Sequence, residues 1–290
     1  MTWFFYALTS AILASAAIII AKKALLKERA MEYAATLSIV TGVFSIPLFF
    51  IGSYENLNFN FIIIIFFSTL LGSAGYVLVQ KSTRHLEVST ISPLRAFSPV
   101  IIAVLAFIIL GESLTRFQTA GIILILIGAY IIEAHKGDSF IKTISKINKS
   151  KYINYFFIAL FIYGLTSILD RYLLGIVGID PITFIAFVHL FLAIDLLIML
   201  TIFHDGIKGI KHGFKNIGWI IIVLGILTIG YRLTFLEAVA LENIGLASPV
   251  KQLSILFSTI LGGKVFHEKN LLKKTLATII MLVGVILIIL

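Results

Sequence analysis

The chain contains no cysteine, which excludes disulfides, thiolate catalysis and cysteine-ligated metal sites. Charge is scarce as well. Asp, Glu, Lys and Arg make up 13% of the residues, against roughly 25% in soluble proteins. The patterns HExxH and GxxxxGK(S/T) are missing, as are GxSxG and any DDxxD-like carboxylate cluster. Their absence argues against zinc hydrolysis, ATP drive and prenyl transfer. No catalytic residue, metal site or cofactor is expected, and the chain reads as something other than an enzyme.

What is present is apolar. Hydrophobic residues make up 60% of the 290, gathered into runs of roughly 18 to 24, the number that a ~1.5 Å rise needs to cross ~30 Å of hydrocarbon. Backbone groups inside a bilayer must be satisfied within each segment, so these runs are helices. The expectation is an all-α integral membrane protein with ten spans, at 3–21, 33–51, 60–80, 89–110, 117–134, 152–174, 182–203, 217–240, 244–264 and 272–290. The first has neither a basic stretch before it nor a small-residue cleavage site, so it reads as a retained helix. Asp180-Pro181 opens the seventh as an N-cap followed by a first-turn proline. The longest connection, 135–151, is polar and basic.

The net charge of +9 sits in the connections, so topology explains it better than nucleic-acid binding. Of the 23 Lys and Arg, 18 fall after odd-numbered spans and only Arg116 after an even one; Arg95, Arg171, Arg232 and Lys251 lie inside apolar runs. The positive-inside rule puts the odd-numbered connections in the cytoplasm and both termini outside a plasma membrane.

The chain also repeats itself. A shift of 156 carries Pro93 onto Pro249, Arg95 onto Lys251, Glu112 onto Glu268 and Gly128 onto Gly284. With one residue inserted, Gly75-Tyr76 falls on Gly230-Tyr231 and Leu86-Glu87 on Leu241-Glu242; a shift of 149 brings Lys22 onto Arg171. Each copy holds five spans, an odd number, so the second enters the membrane upside down. The reading is two inverted five-helix repeats, 1–134 and 152–290, joined by 135–151. Such repeats enclose a midplane site that rocking exposes to each side in turn.

The paired Pro93…Glu112 and Pro249…Glu268, together with GYVLVQKSTRHLE and GYRLTFLEAVALE ahead of them, resemble the EamA-type transporters of the drug/metabolite transporter superfamily, over essentially the whole chain. The resemblance implies two five-helix bundles, with a central cavity lined by spans 1, 3, 4, 6, 8 and 9. It also implies peripheral packing of spans 5 and 10, and movement of small organic molecules. The chain departs from the family in carrying Val40 and His189 where members often have Arg. The family is also usually drawn with cytoplasmic termini, against the charge count here.

A charged side chain at mid-bilayer costs on the order of 3 kcal/mol on insertion scales, so each needs a partner, a wet cavity or a task. Candidates for a substrate cavity are Tyr76, Gln80, Arg95, Asp170, Arg171, Tyr231, Arg232, Glu237, Lys251 and Gln252. By depth, Asp170 and Arg171 can meet Arg232 and Glu237. Either they form a cavity for a zwitterion or anion, or they are interhelical ion pairs that satisfy one another. Asp195, His189 and Glu237 are proton-coupling candidates; a lone histidine such as His189 is more often a neutral hydrogen-bonding residue of the bundle. His189 and Asp195 are six positions and hence about 120° apart on one helix, so they do not face a common point. Arg95 and Lys251 are candidate gates, and Pro99 is expected to free the carbonyl of Arg95. Gly121 and Gly128, matched by Ala277 and Gly284, form small-residue stripes for helix packing. Glu112 and Glu268 read as turn anchors or caps.

The function expected is a secondary active transporter of a small polar or amphipathic metabolite or drug-like compound, working by alternating access and driven by protons or exchange. The alternatives are a lipid or lipid-linked sugar translocator, or a non-transporting membrane scaffold or sensor. Expected partners are a small-molecule substrate, the bilayer and protons, but no nucleic acid. A monomer or weak dimer suffices, since one chain holds both halves.

Overall fold

The computed structural model of the chain describes residues 2–110, 115–133, 150–241 and 244–289, and all regular structure among them is helical. The first part comprises α1 (Thr2–Lys27), α2 (Ala30–Ser45), α3 (Leu48–Ile51), α4 (Phe59–His85), α5 (Val88–Leu94), α6 (Phe97–Leu110) and α7 (Arg116–Glu133). The second comprises α8 (Lys151–Arg171), α9 (Pro181–Phe203), α10 (Ile207–Ile217), α11 (Ile220–Leu241), α12 (Ile244–Phe257), α13 (Gly263–Val265) and α14 (Leu271–Ile289). A π-helical turn follows α8 at Tyr172–Ile176 and another follows α12 at Ser258–Gly262. Among the described residues seven helical stretches are long and apolar enough to cross a bilayer, and Val88–Ile102 and Arg116–Ile132 are shorter apolar ones. The protein is therefore an all-helical, multi-pass membrane protein. The expected linker at 135–151 falls almost entirely outside the described residues.

Helix starts follow local chemistry. Asn58 accepts from the Phe61 N–H at 3.0 Å, and Asp180 accepts from the Thr183 N–H at 2.9 Å with Pro181 behind it. Both are side-chain N-caps that satisfy an orphan donor of the first turn.

Two expected spans are broken. The second parts at Ile46-Pro47, between α2 and α3, and the fourth at Arg95-Ala96, between α5 and α6. Pro99 cannot donate to the Arg95 carbonyl, but that carbonyl is not free as expected: the Ser98 N–H reaches it at 3.0 Å in a tighter turn. Helix α10 is an addition, in a stretch that the apolar runs leave as a connection. Ile207, Ile210, Phe214 and Ile217 recur at helical spacing with Lys208, Lys211 and Lys215 between them, the pattern of a helix lying in the membrane interface. Its glycines let it lie close to α2: a Cβ on Gly209 would sit 3.3 Å from Glu32 Cγ, and one on Gly213 would meet the Thr36 side chain.

The helix pairings have a pattern. α1 packs on α11 and α4 on α8; α2 packs on α11 and α9 on α4; α1 packs on α12 and α8 on α6. Each pairing becomes its counterpart when the halves are exchanged, while α2 with α9 and α7 with α14 join corresponding helices. In the last pair the backbones nearly touch. A Cβ on Gly121 would lie 2.5 Å from the Gly284 carbonyl, and one on Gly284 would lie 2.6 Å from the Gly121 carbonyl. The small-residue stripes are packing faces, as expected.

The connections gather at two ends. At one, the Ser53 N–H donates to Asp180 Oδ2 at 3.2 Å and Thr183 Oγ1 donates to the Ser53 carbonyl at 2.8 Å. At the other, Ser82 Oγ donates to the Tyr152 carbonyl at 2.7 Å, and Lys22, Glu87, Glu268 and Lys274 come together.

Candidate functional site

A cavity of about 530 Å³ lies among α1, α2, α4, α8, α9, α11 and α12, beside the break at Arg95. Its α1 wall is mostly small, with Ala14, Ala17 and Ala21 beside Ile18, and the alanines leave space that longer side chains would fill. The resemblance implied lining by six spans; α2 and α9 add to them with Tyr33, Thr41 and His189.

Most of the singled-out residues meet here. Tyr76 and Gln80 of α4, Arg95, Asp170 of α8, His189 of α9, Tyr231 and Arg232 of α11, and Lys251 and Gln252 of α12 all line the cavity. Glu237 does not: it is exposed and outside the lining. Five residues of helix turn it about 140° from Arg232, onto another face, so it is not among the residues that line this cavity. The side chain of Arg171 and the whole of Glu112 lie outside the described residues. Arg95 and Lys251, the candidate gates, both line this one space.

The expected ion pairs are not made. Among the described residues Asp170 is held only by Ser68 Oγ, at a long 3.5 Å, and no ion pair joins it to Arg232. Arg232 nonetheless lies within electrostatic reach of Asp170, His189 and Lys251. The Arg95 guanidinium lies 6.0 Å from the Phe156 ring centroid, and its buried Nε has no hydrogen-bond partner among the described residues. Lys251 Nζ sits 3.9 Å over the Phe235 ring. Aromatic faces attract cations through their quadrupole, but they do not neutralise them.

His189 is 1% exposed, and neither ring nitrogen has a hydrogen-bond partner among the described residues. The bland expectation of a hydrogen-bonded core histidine is not met. Asp195 is fully buried behind the cavity wall, apart from His189 as their spacing required. Its carboxyl oxygens also lack partners among the described residues. Thr69 faces it, but the Thr69 hydroxyl is already donated to the Phe66 carbonyl at 2.8 Å.

Sequence reasoning missed two features. Tyr33 and Tyr163 join Tyr76 and Tyr231 around the cavity; Tyr163 stands seven residues before Asp170 and so on the same face, a signal already in the sequence. The second is a latch at the end where Thr83 and Ala21 close the lining. Lys22 donates to the carbonyls of Thr83, Arg84 and Leu86 at 2.7, 2.8 and 2.7 Å, a cation on the C-terminus of α4. Glu268 accepts from the Val88 and Ser89 N–H groups at the start of α5, and from the Ser89 hydroxyl. Lys274 bonds Glu87 and Ser89. Glu268 is thus the cap that its position suggested, although the helix it caps belongs to the other half. Among the described residues no group of His, Asp and Glu is placed to hold a metal ion.

Comparison with known proteins adds the following. The family model described as "EamA-like transporter family" matches residues 1–134 and 150–290. Among curated proteins none matches. Among solved structures 21 chains match; one, described only as "Crystal structure of protein", superposes with a TM-score of 0.57 at 14% identity, covering 98% of this chain and 95% of that one. That likeness establishes the fold alone.

Proposed function

Since the chain belongs to the EamA-like transporter family, within the drug/metabolite transporter superfamily, we propose that it is a secondary active transporter moving a small polar metabolite through the central cavity by alternating access. The observation that carries this reading is the cavity itself. It is drawn from both halves, mixes polar and apolar side chains, and is lined by charged groups that no ion pair among the described residues neutralises. Charge kept at that depth without a partner has a task or a ligand.

The moving parts in this reading are two inverted five-helix repeats, 1–134 and 152–290. The interchange of helix pairings between the halves supports it, because that is the contact pattern of a pseudo-two-fold axis. Five spans per copy turn that axis into the membrane plane. The latch of Lys22, Glu268 and Lys274 closes one end, and its release opens the cavity there. Because that end carries the basic connections, it is assigned to the cytoplasm of a plasma membrane, with both termini outside. Protons or counter-solute supply the drive, with Asp195 and His189 as the groups that take up protons. One chain supplies both halves of the site and needs no partner to complete it.

Solute flux into proteoliposomes tests the reading. Protein-dependent uptake that saturates with solute and shows counterflow is expected; absence of flux for every solute class offered contradicts it. An imposed pH gradient then separates proton coupling, which accelerates net accumulation, from exchange, which does not respond.

A further inference from the structure

We propose that the solute is a small organic dianion, held between Arg95, Arg232 and Lys251; this rests on the transport reading above. Among the described residues those three cations line the cavity with a single carboxylate, Asp170. Two positive charges are therefore left over in a space whose remaining wall is uncharged, a mixture of Ser, Thr and Gln with aliphatic and tyrosine side chains. None of the three is in an ion pair among the described residues. Two rest against aromatic rings instead.

The net charge of the ligand follows from that balance. A zwitterion leaves the excess as it was, and a cation enlarges it. A solute with two negative charges brings the sum to zero where uncompensated charge is most costly. The donor types agree. Guanidinium forks and an ammonium point charge recognise carboxylate and phosphate oxygens, and the buried Arg95 Nε is a donor with no acceptor among the described residues. The rest of the solute lies against Tyr76, Tyr163 and Tyr231, which ring Arg95 within its electrostatic reach. The volume of about 530 Å³ falls in the range of small-molecule sites.

A dicarboxylate and a phosphate monoester share this chemistry, so succinate and glycerol 3-phosphate serve as probes, with alanine and choline as the zwitterion and cation. Thermal melting of the detergent-purified chain is followed at constant ionic strength. One or both dianions raise the melting temperature. Their half-saturating concentration rises about tenfold or more in Lys251→Gln and in Arg232→Gln, the loss of one charge-assisted contact. Neither variant melts below the parent in the absence of solute, because each removes a buried charge that has no ion-pair partner among the described residues. Protection by alanine or choline equal to that by the dianions overturns the inference. So does protection unchanged in both variants, or none from either dianion. Flux measurements on the same chain keep the two readings apart. Dianion binding without flux removes the transport reading and leaves this one; flux confined to zwitterions or cations does the reverse.

Discussion

Glu268 accepts the Val88 backbone N–H at 2.6 Å across 180 positions of sequence, so a carboxylate of the second half caps the N-terminus of a helix in the first. A negative charge there compensates orphan N–H groups and the helix dipole together. Glu268→Gln keeps the shape and removes the charge. It lowers stability by about 1–2 kcal/mol, read as a fall in melting temperature, and raises reagent access to the cavity from the latch end. An unchanged melting temperature contradicts the capping role.

Lys22 is the other half of the latch, with three carbonyl oxygens converging on one Nζ. Lys22→Met leaves them without their shared donor, at a cost on the order of 3 kcal/mol. Lys22→Arg recovers only part of this, because a planar fork does not present its donors to a single point as an ammonium does. Full recovery by arginine in a melting assay contradicts the account.

Gly121 and Gly284 meet backbone to backbone. Gly121→Ala forces apart α7 and α14, with an expected loss of about 1–3 kcal/mol. Solute selectivity stays unchanged, because neither helix lines the cavity. A shift in selectivity measured by competition counts against that separation of roles.

Asp195 is buried without a hydrogen-bond partner among the described residues, and Asp195→Asn removes its proton chemistry while keeping its volume. If it carries the coupling proton, accumulation driven by a pH gradient is lost while counterflow survives. Accumulation equal to the parent's removes Asp195 from the mechanism.

Much of this was legible in the residues. Apolar run length fixes where helices lie, and the shift that superposes Pro93 on Pro249 also superposes Tyr76 on Tyr231 within one residue; both tyrosines line the cavity. Spacing on one helix separated His189 from Asp195 correctly, since helical geometry is local. What failed depended on contacts between helices. Depth along a span placed Asp170 opposite Arg232, but depth says nothing about the face a side chain takes, and Glu237 points elsewhere. Pro99 fixed a missing donor, but not that Ser98 would replace it. Lys22 and Glu268 read as span-end residues, because the groups they hold lie more than 60 positions away in sequence. Helix α10 escaped because its apolar face is a stripe and not a run.

The central claim, that the cavity opens to one side and then the other, is tested most directly by thiol labelling, which the absence of native cysteine leaves free of background. Gln80→Cys places a thiol in the cavity wall. A second pair, Val88→Cys with Gly262→Cys, spans the latch, where a Cβ on Gly262 would lie 3.0 Å from Val88 Cβ, so the two segments part by roughly 0.5–1 Å to reach the Cβ separation of a disulfide; the cavity thiol is kept blocked while that crosslink is formed. With the latch free, a membrane-impermeant reagent labels Gln80→Cys from either side of the membrane. With the latch crosslinked, labelling persists only from the far side and transport stops. Labelling from one side alone, indifferent to the crosslink, would contradict alternating access.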